Sequence, residues 1–218
     1  LNKLPRPRAC LFDFDGTLAD TAFTHAFAWN KAYTLVTGEN MPSLSPHILH
    51  GRASSVIADT ILTAAGWSQD SGSTLLSRKN EILLSLAESV PLFPGVVYIL
   101  KSLTRKEIPW AIVSNAPAGF IRAVLRKHAI PVPLITAAEQ SPDPKPSPSP
   151  YIETALRLGF TSREFRFLYA FEDSIPGITA AEKAGLFPVC LGEKPQKNSG
   201  LYCRSMDEFC QHYLPHLI

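Results

Sequence analysis

The chain has 218 residues, 45% hydrophobic and 18% charged, with 21 Lys and Arg against 19 Asp and Glu for a formal net charge of +2. This composition excludes a disordered tail, and the length suits one domain or a core with a smaller insertion. The charge balance excludes broad phosphate neutralisation on duplex nucleic acid, and no apolar run approaches the roughly 18 residues of a membrane helix.

The basic opening segment, Leu1–Arg8, is followed by no long apolar stretch with a small-residue cleavage site, so no secretory leader is expected. The first residue is not Met, which fits a chain that begins inside a longer gene product. Ala9–Phe14 reads as the first strand. Asp13 and Asp15 bracket Phe14 at its end, before Gly16-Thr17. Residues two apart on a strand share a face, so the two carboxylates are expected to leave the strand end together, and Gly16 lets the chain turn away. Such a pair needs a cation or a proton between the charges. A solvated strand end is the plain alternative for a lone Asp-x-Asp.

From about Asp20 to Val90 no strand is evident. Helical stretches fall near Ala22–Leu35, Ser54–Ala65 and Thr74–Leu86, separated by Gly38–Pro46 and Gly66–Ser73. This reads as a helical insertion after the first strand. Alternation then resumes with strands at Pro109–Val113, Leu134–Ala137, Phe167–Phe171 and Pro188–Leu191. Helices near Val96–Leu103, Ala118–His128, Tyr151–Leu158 and Ile178–Ala184 complete the pattern. Gly159 and Gly185 are helix stops, Ser149 before Pro150 reads as a helix cap, and Ser205 with Glu208 reads as a capping box for a last helix. Apolar strands alternating with helices predict a parallel sheet covered by helices. The segment Ser141–Pro150, with Pro at every second position from 142 to 150, reads as an extended linker or as a stiff functional loop.

Cys10 and Cys190 sit in apolar runs and read as buried small hydrophobes. No secreted disulfide framework is evident, so a cytoplasmic location is expected. Cys203, Cys210, His212 and His216 lack the paired spacing of common zinc modules, and the tail reads as a surface helix.

In open α/β sheets, ligands bind outside the carboxyl ends of the strands. Here that edge would gather Asp13 and Asp15 after strand one, Ser114 and Asn115 after strand two, Lys145 after strand three, and Glu172 and Asp173 after strand four. Carboxylates suit a hard divalent cation, and Ser and Lys suit phosphoryl oxygens.

Asp13-Phe-Asp15-Gly-Thr17, Ser114 in Val113-Ser-Asn-Ala, Lys145 in Asp143-Pro-Lys-Pro-Ser, and Glu172-Asp173-Ser174 followed by Pro176-Gly177-Ile178 occur in order. Together they resemble the haloacid dehalogenase superfamily phosphatases over nearly the whole chain. The resemblance implies a Rossmann-like α/β core at residues 1–19 and 91–218 with an inserted helical cap at 20–90. It implies Mg²⁺ held by Asp13, Asp173, Glu172 and the backbone carbonyl of Asp15. Asp13 would be the nucleophile, Asp15 the acid and then the base, and Ser114 and Lys145 the grip on the transferring phosphoryl group. Asp15 favours phosphate esters over halides, because a dehalogenase has no need of it.

The cap stretches Asp20-Thr-Ala, His25 and Ala28-Trp29, and Arg78-Lys79-Asn80, are similar to the β-phosphoglucomutase-like branch. His25 and Lys79 would then reach the substrate, with Thr17 and Asn115 beside them; a satisfied helix histidine and a solvated charged face are the plain alternatives. His50-Gly51-Arg52 looks like the cap pattern of sugar- and polyol-phosphate phosphatases. Arg52 is either a substrate grip or an exposed cation at a helix start. Where the mutase carries a Lys-Asn pair after its motif-two Ser, this chain has Pro117-Ala118, which favours hydrolysis over mutation. The expected partner is a small phosphorylated metabolite, a sugar or polyol phosphate, with no nucleic acid, membrane or obligate protein partner. Hexose phosphate mutation and a silent binding protein on the same fold are the alternatives.

Overall fold

A computed structural model describes residues 4–45, 51–131, 134–141, 143–192 and 200–218. Six parallel strands form one sheet: β1 (Ala9–Phe12), β2 (Trp110–Val113), β3 (Ile135–Thr136), β4 (Leu168–Glu172), β5 (Phe187–Leu191) and β6 (Leu201–Cys203). Their order is β3-β2-β1-β4-β5-β6. Leu11 of β1 lies between Ala111 of β2 and Ala170 of β4. The chain therefore runs outward on one side of β1 and then crosses to the other, which makes the carboxyl end of β1 the switch point of a doubly wound sheet.

Side chains alternate across the sheet. Cys10 and Phe12 pack with Val96, Ile99 and Leu103 of α4 (Val96–Arg105), Phe120 and Val124 of α5 (Ala118–Lys127), and Phe209 of α8 (Met206–His212). Ala9 and Leu11 pack on the other face with Tyr151 and Ala155 of α6 (Ser149–Arg157) and Ala180 and Ala181 of α7 (Ile175–Lys183). Burial on both faces is why these strands are apolar without a break. A last short helix, α9 (Leu214–Leu217), closes the first face.

Between β1 and α4 the described residues form three α-helices, α1 (Ala22–Thr37), α2 (Ser54–Ala64) and α3 (Gly72–Ser85). They share a second core of Trp29, Tyr33, Ile57, Ile61, Leu62 and Leu75, at the three-to-four spacing that puts side chains on one helix face. Gly38 ends α1 with φ +78, its N–H donating to the Thr34 carbonyl; a side chain there would be strained. The two chain crossings run side by side: Asp20 N–H donates to the Pro91 carbonyl and Phe93 N–H to the Leu18 carbonyl, both at 3.0 Å.

Several local expectations are corrected. β1 stops at Phe12, so Asp13 and Asp15 lie beyond the strand rather than on one of its faces. β6 was not anticipated: three residues are too few for a periodic signal, and only pairing with β5 defines it. Helix α6 already includes Ser149, so its cap position is Pro148. Ser205 does cap α8, accepting from Glu208 N–H, but the Glu208 carboxylate takes the N–H of Arg204, one residue before the cap. The tail is not a surface appendage. Cys203 and Cys210 are buried and Phe209 meets Phe171 edge-on at 4.9 Å, while His212 and His216 are exposed. All four cysteines are buried and none is in a disulfide. Among the described residues, no helix is long and apolar enough to cross a membrane.

Candidate active site

Asp13 is one residue past β1, its N–H held by the Phe171 carbonyl of β4 at 2.9 Å. Ser114 is one residue past β2, its N–H held by the Thr136 carbonyl of β3 at 3.0 Å. Glu172 ends β4 and Asp173 follows it. Because β2, β1 and β4 are adjacent and parallel, these residues meet at one edge of the sheet.

Lys145 arrives on the Pro-rich loop after β3 and is only 3% exposed. Its Nζ donates to Asp13 Oδ1 at 2.6 Å, to the Val113 carbonyl at 2.6 Å and to Glu172 Oε1 at 2.5 Å. An ammonium has three N–H donors, and here the protein takes all three. The loop is therefore a built part of the site rather than a linker, although Pro142 lies outside the described residues. Tyr151, in the first turn of α6, adds a second donor to Glu172 Oε1 at 2.6 Å, and its ring lies 5.0 Å from the Lys145 ammonium.

Burial pushes the Asp13 and Glu172 carboxyls up, against the pull of Lys145, and the neighbouring carboxylates push the same way. Burial disfavours the Lys145 ammonium too, but Asp13 and Glu172 outweigh it and hold its pKa above the ordinary lysine value. Asp13 and Glu172 share the Lys145 ammonium, and Asp173 lies beside them. Asp13, Glu172 and Asp173 each offer an oxygen, and these oxygens lie within 4.8 Å of one another. That donor set, all hard oxygens, fits Mg²⁺. Gly16 shapes the same spot. Its φ is +84, and a Cβ there would come within 1.8 Å of Asp173 Oδ2. The turn can approach the carboxylate this closely only without a side chain.

Asp15 faces the other way, toward the helical group. Burial would raise its pKa, but the His25 ring at 3.1 Å, the Thr21 hydroxyl and Lys79 hold its carboxyl below the usual range. His25 in turn meets the edge of Phe120 at 5.9 Å. Lys79 is fully buried on α3. Its ammonium lies 5.2 Å from the centre of the Trp29 ring and bonds Ser54 Oγ at 3.3 Å. Burial lowers its pKa to about 8, with Asp15 pulling the other way.

A buried lysine of this kind destabilises the fold while charged. Between pH 8 and 10.5 the unfolded chain keeps a proton that the folded one has lost, so stability rises with pH in that window; below pH 8 the burial penalty is present in full. Lys79→Met removes a penalty of about 2 to 3 kcal/mol at pH 7. The variant is expected to melt about 5 °C or more above the parent at pH 7 and to lose that margin by pH 10, read by calorimetry. A variant that melts lower at pH 7 would contradict this.

The sequence-predicted residues fall into two groups. Asp13, Lys145, Glu172 and Asp173 meet in one cluster, and Asp15, His25 and Lys79 form a second beside it. Ser114 is buried at the same edge, its hydroxyl accepting from Ala116 N–H at 3.1 Å. Thr17, expected at the substrate, donates to Asp173 Oδ1 at 3.3 Å. Asn115, also expected at the substrate, brackets the Lys145 backbone and reaches the Gly51 carbonyl at 3.4 Å. Arg52 is exposed and, among the described residues, has no ion-pair partner; His50 lies outside the described residues. Tyr151 and Thr21 were missed. Tyr151 had one available signal, an aromatic residue in the first helical turn after the loop that delivers Lys145. Thr21 had none.

A family model for haloacid dehalogenase-like hydrolases matches residues 7–185. Hexitol phosphatase A from Escherichia coli (strain K12) is 28% identical over 190 residues, covering 85% of this chain and 83% of its own. The β-phosphoglucomutase of Mycobacterium bovis is 29% identical, covering 85% of this chain and 80% of its own. The crystal structure of CbbY from Rhodobacter sphaeroides in complex with phosphate shares the fold, with a TM-score of 0.85 at 22% identity over 97% of this chain and 99% of that one.

Proposed function

The chain belongs to the haloacid dehalogenase-like hydrolases, and on that premise we propose that it is a Mg²⁺-dependent phosphatase of a small phosphorylated metabolite, a sugar or polyol phosphate. One observation carries the reading: a carboxylate, Asp13, is held by a buried lysine, while a second carboxylate two residues on, Asp15, is paired with His25.

In this reading an Asp13 oxygen attacks phosphorus, the ester P–O bond breaks, and the leaving oxygen takes a proton held by the Asp15–His25 pair. Asp15 then takes a proton from water, whose oxygen attacks the aspartyl-phosphate and releases phosphate. Lys145 and Ser114 orient the phosphoryl oxygens. Asp13, Glu172 and Asp173, with the carbonyl of Asp15, would hold Mg²⁺, which when bound supplies positive charge for those oxygens. Helices α1 to α3, within residues 20–90, act as a cap over the core at 1–19 and 91–218; His25 on α1 and Lys79 on α3 stand behind Asp15, and Arg52, just before α2, reaches toward the leaving group. Four buried cysteines with no disulfide among them support a cytoplasmic location.

The curated relatives include phosphatases and mutases. Hydrolysis is favoured because the segment after Ser114 offers no cation for a second phosphate. It carries Pro117-Ala118, and the Ala118 N–H is taken by the Glu139 carboxylate at 3.2 Å. The test is phosphate release from a panel of sugar, polyol and glycolate phosphates, with Mg²⁺ and with a chelator. Release that the chelator abolishes is expected. Interconversion of hexose 1- and 6-phosphates without net phosphate release would replace this reading with the mutase. Neither activity in a folded protein would replace it with a silent binder.

A further inference from the structure

Lys145 cannot both keep its resting bonds and hold a phosphoryl oxygen. All three of its N–H donors are taken, by Asp13, by the Val113 carbonyl and by Glu172. One bond must be released when the phosphoryl group arrives. Among the described residues no other side chain donates to the Val113 carbonyl, and Asp13 is the group whose charge Lys145 offsets. Releasing Glu172 would strand a fully buried carboxylate oxygen, unless another donor already serves it. Tyr151 is that donor. Its hydroxyl lies 2.6 Å from Oε1, the same oxygen that Lys145 uses.

Tyr151 is built for this task. It is fully buried, so no water competes for its hydroxyl. Helix α6 is anchored to β3 by Thr154, whose hydroxyl bonds that of Thr136 at 2.7 Å, so the Tyr151 ring is fixed relative to the sheet. The ring faces the Lys145 ammonium at 5.0 Å, within the range of a cation–π contact, and keeps water from that side of it.

We infer that Tyr151 is a positioning residue that keeps Glu172 hydrogen-bonded while Lys145 redirects one N–H from Glu172 to the transferring phosphoryl group. The inference rests on the phosphatase reading and adds to it a residue that touches neither substrate nor metal. In Tyr151→Phe the ring stays and only the hydroxyl goes, so Glu172 Oε1 depends on Lys145 alone and holds it back.

The experiment compares Tyr151→Phe with the parent in two measurements. For a phosphate ester that the parent hydrolyses, kcat/KM is expected to fall about 10-fold or more, since Lys145 grips the phosphoryl group less well in both the bound ester and the transition state. Inorganic phosphate binding with Mg²⁺, read by calorimetry, is expected to weaken about 10-fold. A purely structural tyrosine would lower the melting temperature and leave both untouched. A folded Tyr151→Phe with kcat/KM and phosphate affinity within twofold of the parent overturns the inference. If the parent binds phosphate but hydrolyses no ester, the phosphatase reading fails, and the phosphate measurement alone decides the role of Tyr151. A double-mutant cycle with Glu172→Gln is a further check. The two effects should not add, because Tyr151 acts through Glu172; additive effects count against the inference.

Discussion

Asp13→Asn is expected to lower turnover by roughly 10⁴-fold or more while leaving the fold intact. The amide has the shape of the carboxyl group, and its oxygen can still accept from Lys145 where Asp13 Oδ1 does at 2.6 Å. What it lacks is an anionic oxygen that can attack phosphorus. The substitution also removes one of three clustered carboxylates, whose mutual repulsion helps to push the Asp13 and Glu172 carboxyls up. Melting at or slightly above the parent temperature is therefore expected. Phosphate release from the best substrate, alongside a melting curve, makes the check. A variant that retains even a tenth of the parent rate would take the nucleophile assignment from Asp13.

Lys145→Ala is expected to damage both function and fold. Turnover should fall about 10²-fold or more, because a charge fixed in place before the reaction is commonly a large catalytic contribution. Stability should fall as well. The side chain is buried and bonds Asp13, Glu172 and the Val113 carbonyl, so its loss leaves two buried carboxylates without their cation. Removing one partner of a buried ion pair costs about 3 to 5 kcal/mol, or roughly 10 °C in melting temperature at this chain length. Glu172 keeps the Tyr151 hydroxyl, and protonation of one carboxyl can relieve the rest. The loss should therefore shrink as the pH is lowered toward the carboxylate range, where the carboxylates need no cation. Melting curves at pH 7 and pH 5 separate the two effects. A variant that melts with the parent at pH 7 would show that the lysine does not neutralise this cluster. The contrast with Asp13→Asn is informative: one change removes a repelled charge, the other removes the charge that all its neighbours need.

Much of this protein was legible in its residue order. Strands buried on both faces are apolar without interruption, so five of the six, and hence the parallel sheet, could be read directly. The doubly wound arrangement then sends Asp13, Ser114, Glu172 and Asp173 to one edge, because each lies at or just after the carboxyl end of a strand, and the loop that follows β3 brings Lys145 to them. Helical periodicity likewise marked α1 to α3 as a separate packed group.

Only the tertiary structure decided how those groups pair. Thr17 turned out to serve Asp173, and Asn115 to hold the Lys145 backbone and the Gly51 carbonyl. Lys79, which on the sequence could have been a solvated charge, is enclosed by Trp29 and Ser54. Tyr151 gains its place from the meeting of helix α6 with the end of β4, residues 21 positions apart. Strand β6 exists through its pairing with β5 alone. The physical reason is common to all of these. Periodicity and strand-end position are local properties, set by each residue's neighbours in the chain. The partner of a buried hydrogen bond or charge is set by which elements pack together, and by the requirement that no polar group be buried alone.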